Sequence, residues 1–367
     1  MRILLVAHSN ATWTPYFARY FMQQGDEVLV ASFSPEKLDG IPVEFIGIKP
    51  YDAFKDKNII FTRIPRLKKV IRQFRPDIVF AIYLASKGLS AALAWNGPLV
   101  VSAVGSDVLD RFNRTGIRKW FRESVIKFVC RRADVVNTVS QELDDELLRL
   151  KVPQSKILQL PFGVDTEQFC PAPDMPRSKA VQIICTRRHE KIYDIPTIMN
   201  ALADLKRKRQ GFRLVFTSGG RLLEEHKKMA CSLGLQDCVT FTGVLDYKML
   251  PVYLKQSDIY VSASLGDGTS VALLEAMACG LLPVISRIPA NFPWIREDKT
   301  GLFFNPGDAG QLAAALSRAI EDNALRSTAF TENRQIVLAR CDQKKNIDRL
   351  ARKFEELIQK KKKNKTD

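Results

Sequence analysis

DIYVSASLGDGTSVALLEAMACGLLPVIS (258–286) reads as strand, loop, helix, strand. The run Asp258–Ser262 is short and strand-forming. A loop holding Gly266 and Gly268 follows, a helix begins near Ser270, and a second apolar run occupies 282–285. Short apolar strands joined through a helix make a parallel sheet covered on both faces. A glycine loop that feeds a helix start lets backbone N–H groups approach an anion, and the helix dipole adds about half a positive charge there.

The same rhythm extends outward in both directions. Strands are expected at 181–185, 213–217 and 238–241 before this unit, each followed by a helix. Nearer the start, RILLVA (2–7) leads to a helix near Tyr16–Gln24 closed by Gly25, and then to EVLVAS (27–32). Further apolar runs lie at Val43–Ile48, Ile78–Tyr83, Leu99–Val104, Asp134–Thr138 and Ile157–Leu160. Between them Leu67, Val70, Ile71 and Phe74 keep helical spacing. PFGVDTEQFCPAPDMPRSK (161–179) breaks the alternation with four prolines. The expected organisation is an N-terminal domain over 1–165, a linker over 166–179 and a second domain over 180–343. A C-terminal helix and basic tail follow over 344–367, with fraying at KKKKNK. The fold class is therefore α/β, with two Rossmann-like doubly wound domains facing a central cleft. Ligands of such sheets bind beyond the carboxyl ends of the strands.

Bulk properties agree with two cores: 367 residues, 46% of them hydrophobic, exceed one ordinary domain. No apolar run reaches the roughly 18–20 residues of a membrane-spanning helix. MRILLVAHSN is too short for the core of a signal peptide, so the expectation is a cytoplasmic chain. Seven scattered cysteines without a CxxC pair read as reduced core residues, and His8, His189 and His226 offer no local metal pair. The net charge of +16 suits anionic partners, and equally suits a solvated lysine-rich surface.

Three stretches carry candidate chemistry. In SLGDGTSVALLEAMACG (264–280), Thr269 or Ser270 can cap the helix, and Asp267 and Glu275 can face one ligand, reaching sugar hydroxyls and a ribose. They also read as a loop acid and a buried, satisfied glutamate. In CTRRHEKIYD (185–194), Arg187 and Lys191 lie at a strand end where cations can neutralise a diphosphate; a solvated basic loop reads the same way. His189, between them, is expected at the surface. SAVGSDVL (102–109) ends a strand with Gly105, Ser106 and Asp107, and is also readable as a turn capped by Asp107.

Taken in order, these segments resemble the retaining, family 4 glycosyltransferases of the GT-B fold. ADVVNTVSQELDDELL (133–148), LPFGVDTEQFCP (160–171), FTGVLDYKMLPVYLKQSDIYVSAS (241–264) and TGLFFNPGDAGQLAAAL (300–316) are each similar to family segments, and the likeness covers nearly the whole chain. The resemblance implies that Asp267 and the backbone of Gly268, Thr269 and Ser270 hold the transferred sugar. It implies further that Glu275 holds the ribose, that Val244 lies near the nucleotide base, and that Arg187 and Lys191 meet the diphosphate. Asp107 would approach the sugar from the other domain. Asp267 stands where the family usually has Glu, and Ser270 where it has a glycine.

No Asp-x-Asp motif is present, so cations and helix dipoles are expected in place of a metal, with no cofactor. The implied reaction moves a sugar from a nucleotide-sugar donor to a saccharide or lipid-linked acceptor, in cell-surface polysaccharide or glycolipid synthesis. The departing phosphate takes the acceptor proton. Residues 63–75 carry six basic residues and no acid, and 111–132 carry eight opposed only by Glu123. The second cluster lies on a helix whose Ile117, Phe121, Val125 and Phe128 are expected to pack inward, leaving a charged face for an anionic membrane. Three other classes compete. A nucleotide-sugar epimerase would need converging histidines. A dinucleotide-dependent oxidoreductase would need G-x-G-x-x-G after the first strand, where AHSNATW stands. A nucleic-acid-binding protein would need basic residues interleaved with exposed aromatics, so no nucleic acid is expected.

Overall fold

The computed structural model describes every residue except 12, 48–58, 106, 110–115, 173–177, 179, 209–210 and 367, and the side chains of 59–62 and 364–366. Ser106, residues 110–115 of the second basic cluster and 173–177 of the expected linker lie outside them. The chain divides into two units. The first is Met1–Phe162 with Lys345–Asp367, and the second is Gly163–Lys344.

The first unit holds a seven-stranded parallel sheet of β1 (Arg2–Ala7), β2 (Glu27–Ser32), β3 (Val43–Phe45), β4 (Ile78–Ile82), β5 (Leu99–Ala103), β6 (Val135–Thr138) and β7 (Ile157–Gln159). Their order is β3-β2-β1-β4-β5-β6-β7. β4 and β5 are buried along their whole length, as strands covered on both faces must be. That double burial makes them apolar runs rather than alternating ones.

The second unit repeats the plan with β8 (Val181–Cys185), β9 (Phe212–Phe216), β10 (Val239–Phe241), β11 (Ile259–Ser262), β12 (Leu282–Ser286) and β13 (Leu302–Phe304), ordered β10-β9-β8-β11-β12-β13. Every pairing is parallel. β13 is absent from the strands expected above. In each sheet successive connections leave to opposite sides at one point, between β1 and β4 in the first and between β8 and β11 in the second. Those switch points open the crevices where doubly wound sheets take ligands.

Three features depart from the sequence reading. Val164, expected in the N-terminal domain, and Phe169, expected in the linker, are both buried in the second unit's core. Gly163 there has φ +81, and a Cβ on it would lie 2.6 Å from the Cys341 carbonyl, so only glycine fits. The tail read as a separate segment is the helix Gln343–Thr366, whose Ile347, Leu350, Phe354 and Ile358 complete the first unit's core. Their spacing buries one stripe, and that stripe keeps the lysine-rich end helical.

The third departure is the helix Gly116–Arg132. Its inward residues are Ile126, Val129 and Cys130. Ile117, Trp120 and Phe121 are 80%, 66% and 59% exposed, so the face expected to pack inward stands in solvent over its first half, and Phe128 of that face is exposed in the second half as well. Only the second half of this helix reaches the core. Among the described residues no helix is long and apolar enough to cross a membrane.

Candidate active site

The second unit's switch point gathers the strongest cluster of polar side chains. β8 ends at Cys185, and Arg187 follows in the loop above the sheet, 7% exposed. Its Nη1 donates to Ser270 Oγ at 2.8 Å, and its Nη2 donates to the Asp267 carboxylate in a close ion pair. The guanidinium lies 4.1 Å from the centre of the Tyr193 ring, which fixes its plane. Asp267 Oδ1 also accepts from Gly268 N at 2.9 Å, so the loop acid is held by its own turn.

Ser270 caps the helix Val271–Ala278, accepting from Leu273 N at 3.3 Å. The sequence places this cap at Thr269 or Ser270, and the structure selects Ser270. Glu275, in the second turn, is buried, and its Oε1 accepts from the Tyr247 hydroxyl at 2.6 Å. Burial pushes the Glu275 carboxyl up to about 7, against the opposing pull of the Tyr247 hydroxyl and the Arg187 charge. Burial, and then the Glu275 charge, push the Tyr247 hydroxyl well above the usual phenol range.

Within the second unit, Lys191 and Val244 lie outside this cluster. Lys191 opens the 3-10 turn Lys191–Tyr193 and is exposed. Val244 follows β10 and is almost fully exposed. A Cβ on Gly219 would come within 2.6 Å of its Cγ2, so the glycine leaves the valine its place. Asp107 belongs to the first unit, where its carboxylate accepts from Leu84 N at 2.7 Å, Val104 N at 3.0 Å and Gly105 N at 2.9 Å. Burial raises its pKa while those amides oppose the rise.

His189 corrects the sequence reading. It is fully buried, with its Nδ1 2.8 Å from Nδ1 of His226, and both rings belong to an aromatic layer with Phe216 and Phe241. Burial lowers the His189 pKa to about 4, so the pair is neutral near pH 7. Two histidines do converge, as an epimerase would require, but they are sealed from any substrate. Sequence reasoning also missed Tyr193 and Tyr247. Their only local signal is an aromatic residue in a loop beyond a strand end. Among the described residues no group of three or more His, Cys, Asp or Glu side chains is placed to hold a metal ion.

Comparison with known proteins bears on the family and the fold. The family described as Glycosyltransferase Family 4 matches residues 11–168, and that described as Glycosyl transferases group 1 matches 175–336. The chain belongs to the family 4 glycosyltransferases of the GT-B fold. It is 26% identical over 336 residues to the sulfoquinovosyl transferase SQD2 of Arabidopsis thaliana, a match covering 84% of this chain and 63% of that protein. It is likewise 26% identical over 277 residues to the GDP-mannose-dependent alpha-(1-6)-phosphatidylinositol monomannoside mannosyltransferase of Mycolicibacterium smegmatis, covering 70% of each chain. In fold it is similar to the sucrose-phosphate synthase of Thermosynechococcus elongatus, with a TM-score of 0.80 and 19% identity over 97% of this chain and 99% of that one.

Glu275 permits a direct check of the donor site. If Glu275 holds the ribose, as the resemblance implies, Glu275→Ala should weaken nucleoside diphosphate affinity roughly 10- to 100-fold, the loss of a charged hydrogen bond being worth about 1.5–3 kcal/mol. Because burial raises the carboxyl to about 7, that affinity should fall as pH drops from about 8 to about 6. Glu275→Gln removes that dependence. Calorimetry on the folded variants reads both effects, and unchanged affinity in Glu275→Ala rules out contact with the nucleotide.

Proposed function

We propose that this chain transfers a sugar from a nucleotide-sugar donor, with retention of configuration, to a saccharide or lipid-linked acceptor. The second unit takes the donor and the first the acceptor. The observation that carries the donor side is Arg187 held beside Asp267 and Ser270, at the start of a helix and at the switch point of its sheet. Negative charge develops on the leaving diphosphate as the glycosidic bond breaks. Arg187 and the N–H groups at the helix start are preorganised to receive it. Asp267 orients the sugar hydroxyls, Glu275 the ribose, and Lys191 adds a mobile cation near the phosphates. In this reading the departing phosphate oxygen accepts the acceptor proton, Asp107 approaches the sugar, and no metal or cofactor takes part.

A screen of nucleotide sugars with EDTA present tests the reading. One donor should support sugar transfer at an unchanged rate when the chelator is added. Activity that dies in EDTA and returns with magnesium or manganese ends the cation-for-metal argument. Loss of anomeric configuration in the product ends the retaining one.

The mannosyltransferase relative is named for a phosphatidylinositol monomannoside. An anionic bilayer fits the exposed face of Ile117, Trp120 and Phe121, flanked by Arg118 and Lys119. Replacing Arg118 and Lys119 together by serine should lower partitioning onto phosphatidylglycerol vesicles about thirtyfold, at about 1 kcal/mol for each basic residue near the surface. Co-sedimentation that ignores this change removes the membrane from the reading.

A further inference from the structure

Glu275 does not stand alone in the second unit. Beyond β10 the chain enters the 3-10 turn Tyr247–Met249, which Asp246 caps by accepting from Lys248 N at 3.0 Å. From that turn the helix Leu250–Lys255 leads on to β11, so the crossover passes β9 and β8. It brings Tyr247 to the helix Val271–Ala278, where the phenol hydroxyl donates to Glu275 Oε1 at 2.6 Å. The tyrosine ring rests against Phe169, with ring centres 5.6 Å apart, and Phe169 is fully buried. Tyr247 is 49% exposed and Glu275 is 4% exposed. The tyrosine is the outer member of the pair and the acid the inner one.

A tyrosine that merely satisfied a buried acid would be fully used in that one bond. The chemistry here leaves more. Burial first, and then the Glu275 charge and the bond to it, keep the Tyr247 hydroxyl protonated well above the usual phenol range. Its proton is therefore always present for Oε1. A phenol that donates keeps its oxygen lone pairs as acceptors. Donation to a carboxylate polarises the hydroxyl and makes that oxygen the better acceptor. Among the described residues no group donates to the Tyr247 oxygen, and none donates to Glu275 Oε2. Arg187 acts on Glu275 by its charge, and Asp165 acts on Tyr247. Neither is bonded to the pair. Arg187 is held by Asp267 and Ser270, and Asp165 accepts from Glu167 N at 3.1 Å and Gln168 N at 3.0 Å. The pair thus offers two acceptor oxygens joined through one carboxylate, and a ribose carries two hydroxyl donors on neighbouring carbons.

We infer that Tyr247 is a specificity-determining residue of the donor site, reading the ribose diol together with Glu275. Glu275 Oε2 accepts from one ribose hydroxyl, and the Tyr247 oxygen accepts from its neighbour. The Tyr247 proton stays on Oε1 and holds the carboxylate in place. This rests on the reading of Glu275 as the ribose ligand and deepens it. The site then selects ribonucleotide sugars over their deoxy counterparts, with the tyrosine answerable for one hydroxyl. A site built to bond a substrate hydroxyl rejects the analogue that lacks it, because a polar group of the site is left unpaired.

The test compares the full chain as wild type with Tyr247→Phe, which removes the hydroxyl and keeps the ring against Phe169. Melting curves establish that both are folded. UDP, GDP and ADP are titrated calorimetrically into wild type, and the tightest is carried forward with its 2′-deoxy and 3′-deoxy analogues. Titrations are run at about pH 9, above the value of about 7 to which burial raises Glu275, so that protonation of the carboxylate does not imitate the effect. Wild type should prefer the ribonucleotide over both analogues. Tyr247→Phe should narrow the preference over at least one of them roughly 3- to 10-fold, the usual worth of one hydrogen bond. The analogue more affected names the hydroxyl that Tyr247 holds. A folded Tyr247→Phe with both preferences unchanged or widened overturns the inference, whatever its absolute affinity, since lost packing or lost support of the carboxylate weakens all three nucleotides alike. That result leaves the donor site itself standing. Wild type that binds nucleotide without distinguishing either analogue ends the ribose role of Glu275 and the inference with it. No nucleotide binding at all defeats the glycosyltransferase reading.

Discussion

Arg187→Ala should lower turnover roughly 10²–10³-fold, the usual result of removing one preorganised electrostatic donor. The size of the effect follows from how the guanidinium is held. It is buried, stacked on Tyr193 and bonded to Asp267 and Ser270, so little reorganisation is needed when charge builds on the diphosphate. Charge builds mainly in the transition state, so the loss falls on kcat more than on donor affinity. Arg187→Lys should recover little, because an ammonium cannot bond Ser270 and Asp267 in one plane while lying flat on a ring. Initial rates at saturating donor decide the matter, with a melting curve to show that the Ser270 cap survives. Near-normal turnover in a folded Arg187→Ala would mean that another group meets the diphosphate.

The second large effect is on stability. Phe354→Ala should cost the first unit about 3–5 kcal/mol, the range for deleting a buried phenyl ring. Phe354 is fully buried, stacked at 5.4 Å and 15° on Phe21 and edge-on at 5.4 Å to Phe80. Those two rings belong to the first helix and to β4, so a cavity there opens the middle of the sheet's cover. Urea unfolding followed by tryptophan fluorescence should show one transition moving early while the other stays. A shift below about 1 kcal/mol would mean that the helix Gln343–Thr366 is an ornament on the surface.

What could be read from the sequence follows from range. β1, β4 and β5 are nearly continuous apolar runs because both faces are covered, and such runs are visible locally. The Ser270 cap and the glycine loop before it are local as well. Sequence places Arg187 and Asp267 on loops beyond strand ends, but not against each other; they are 80 residues apart, and only the pairing of β8 with β11 joins them. Tyr247 reaches Glu275 across 28 residues, and His189 reaches His226 across 37. No periodicity records such meetings. The face of Ile117, Phe121 and Phe128 fails for another reason. This helix carries apolar residues on more than one face, and helical spacing does not say which of them meets the core or how far along the helix the core extends. The face that meets it is that of Ile126, Val129 and Cys130.

The return of the chain to its first unit sets an order of assembly. The helix Gln343–Thr366 is made after all of the second unit, yet it supplies Ile347, Leu350, Phe354 and Ile358 to the core begun by β1. During synthesis the second unit is therefore complete first, against the usual N-terminal-first sequence. Until the last helix arrives, the face of Phe21 and Phe80 stays uncovered, an apolar surface open to chaperones and to other nascent chains. A ribosome that stalls before residue 343 leaves a finished half attached to one that cannot close.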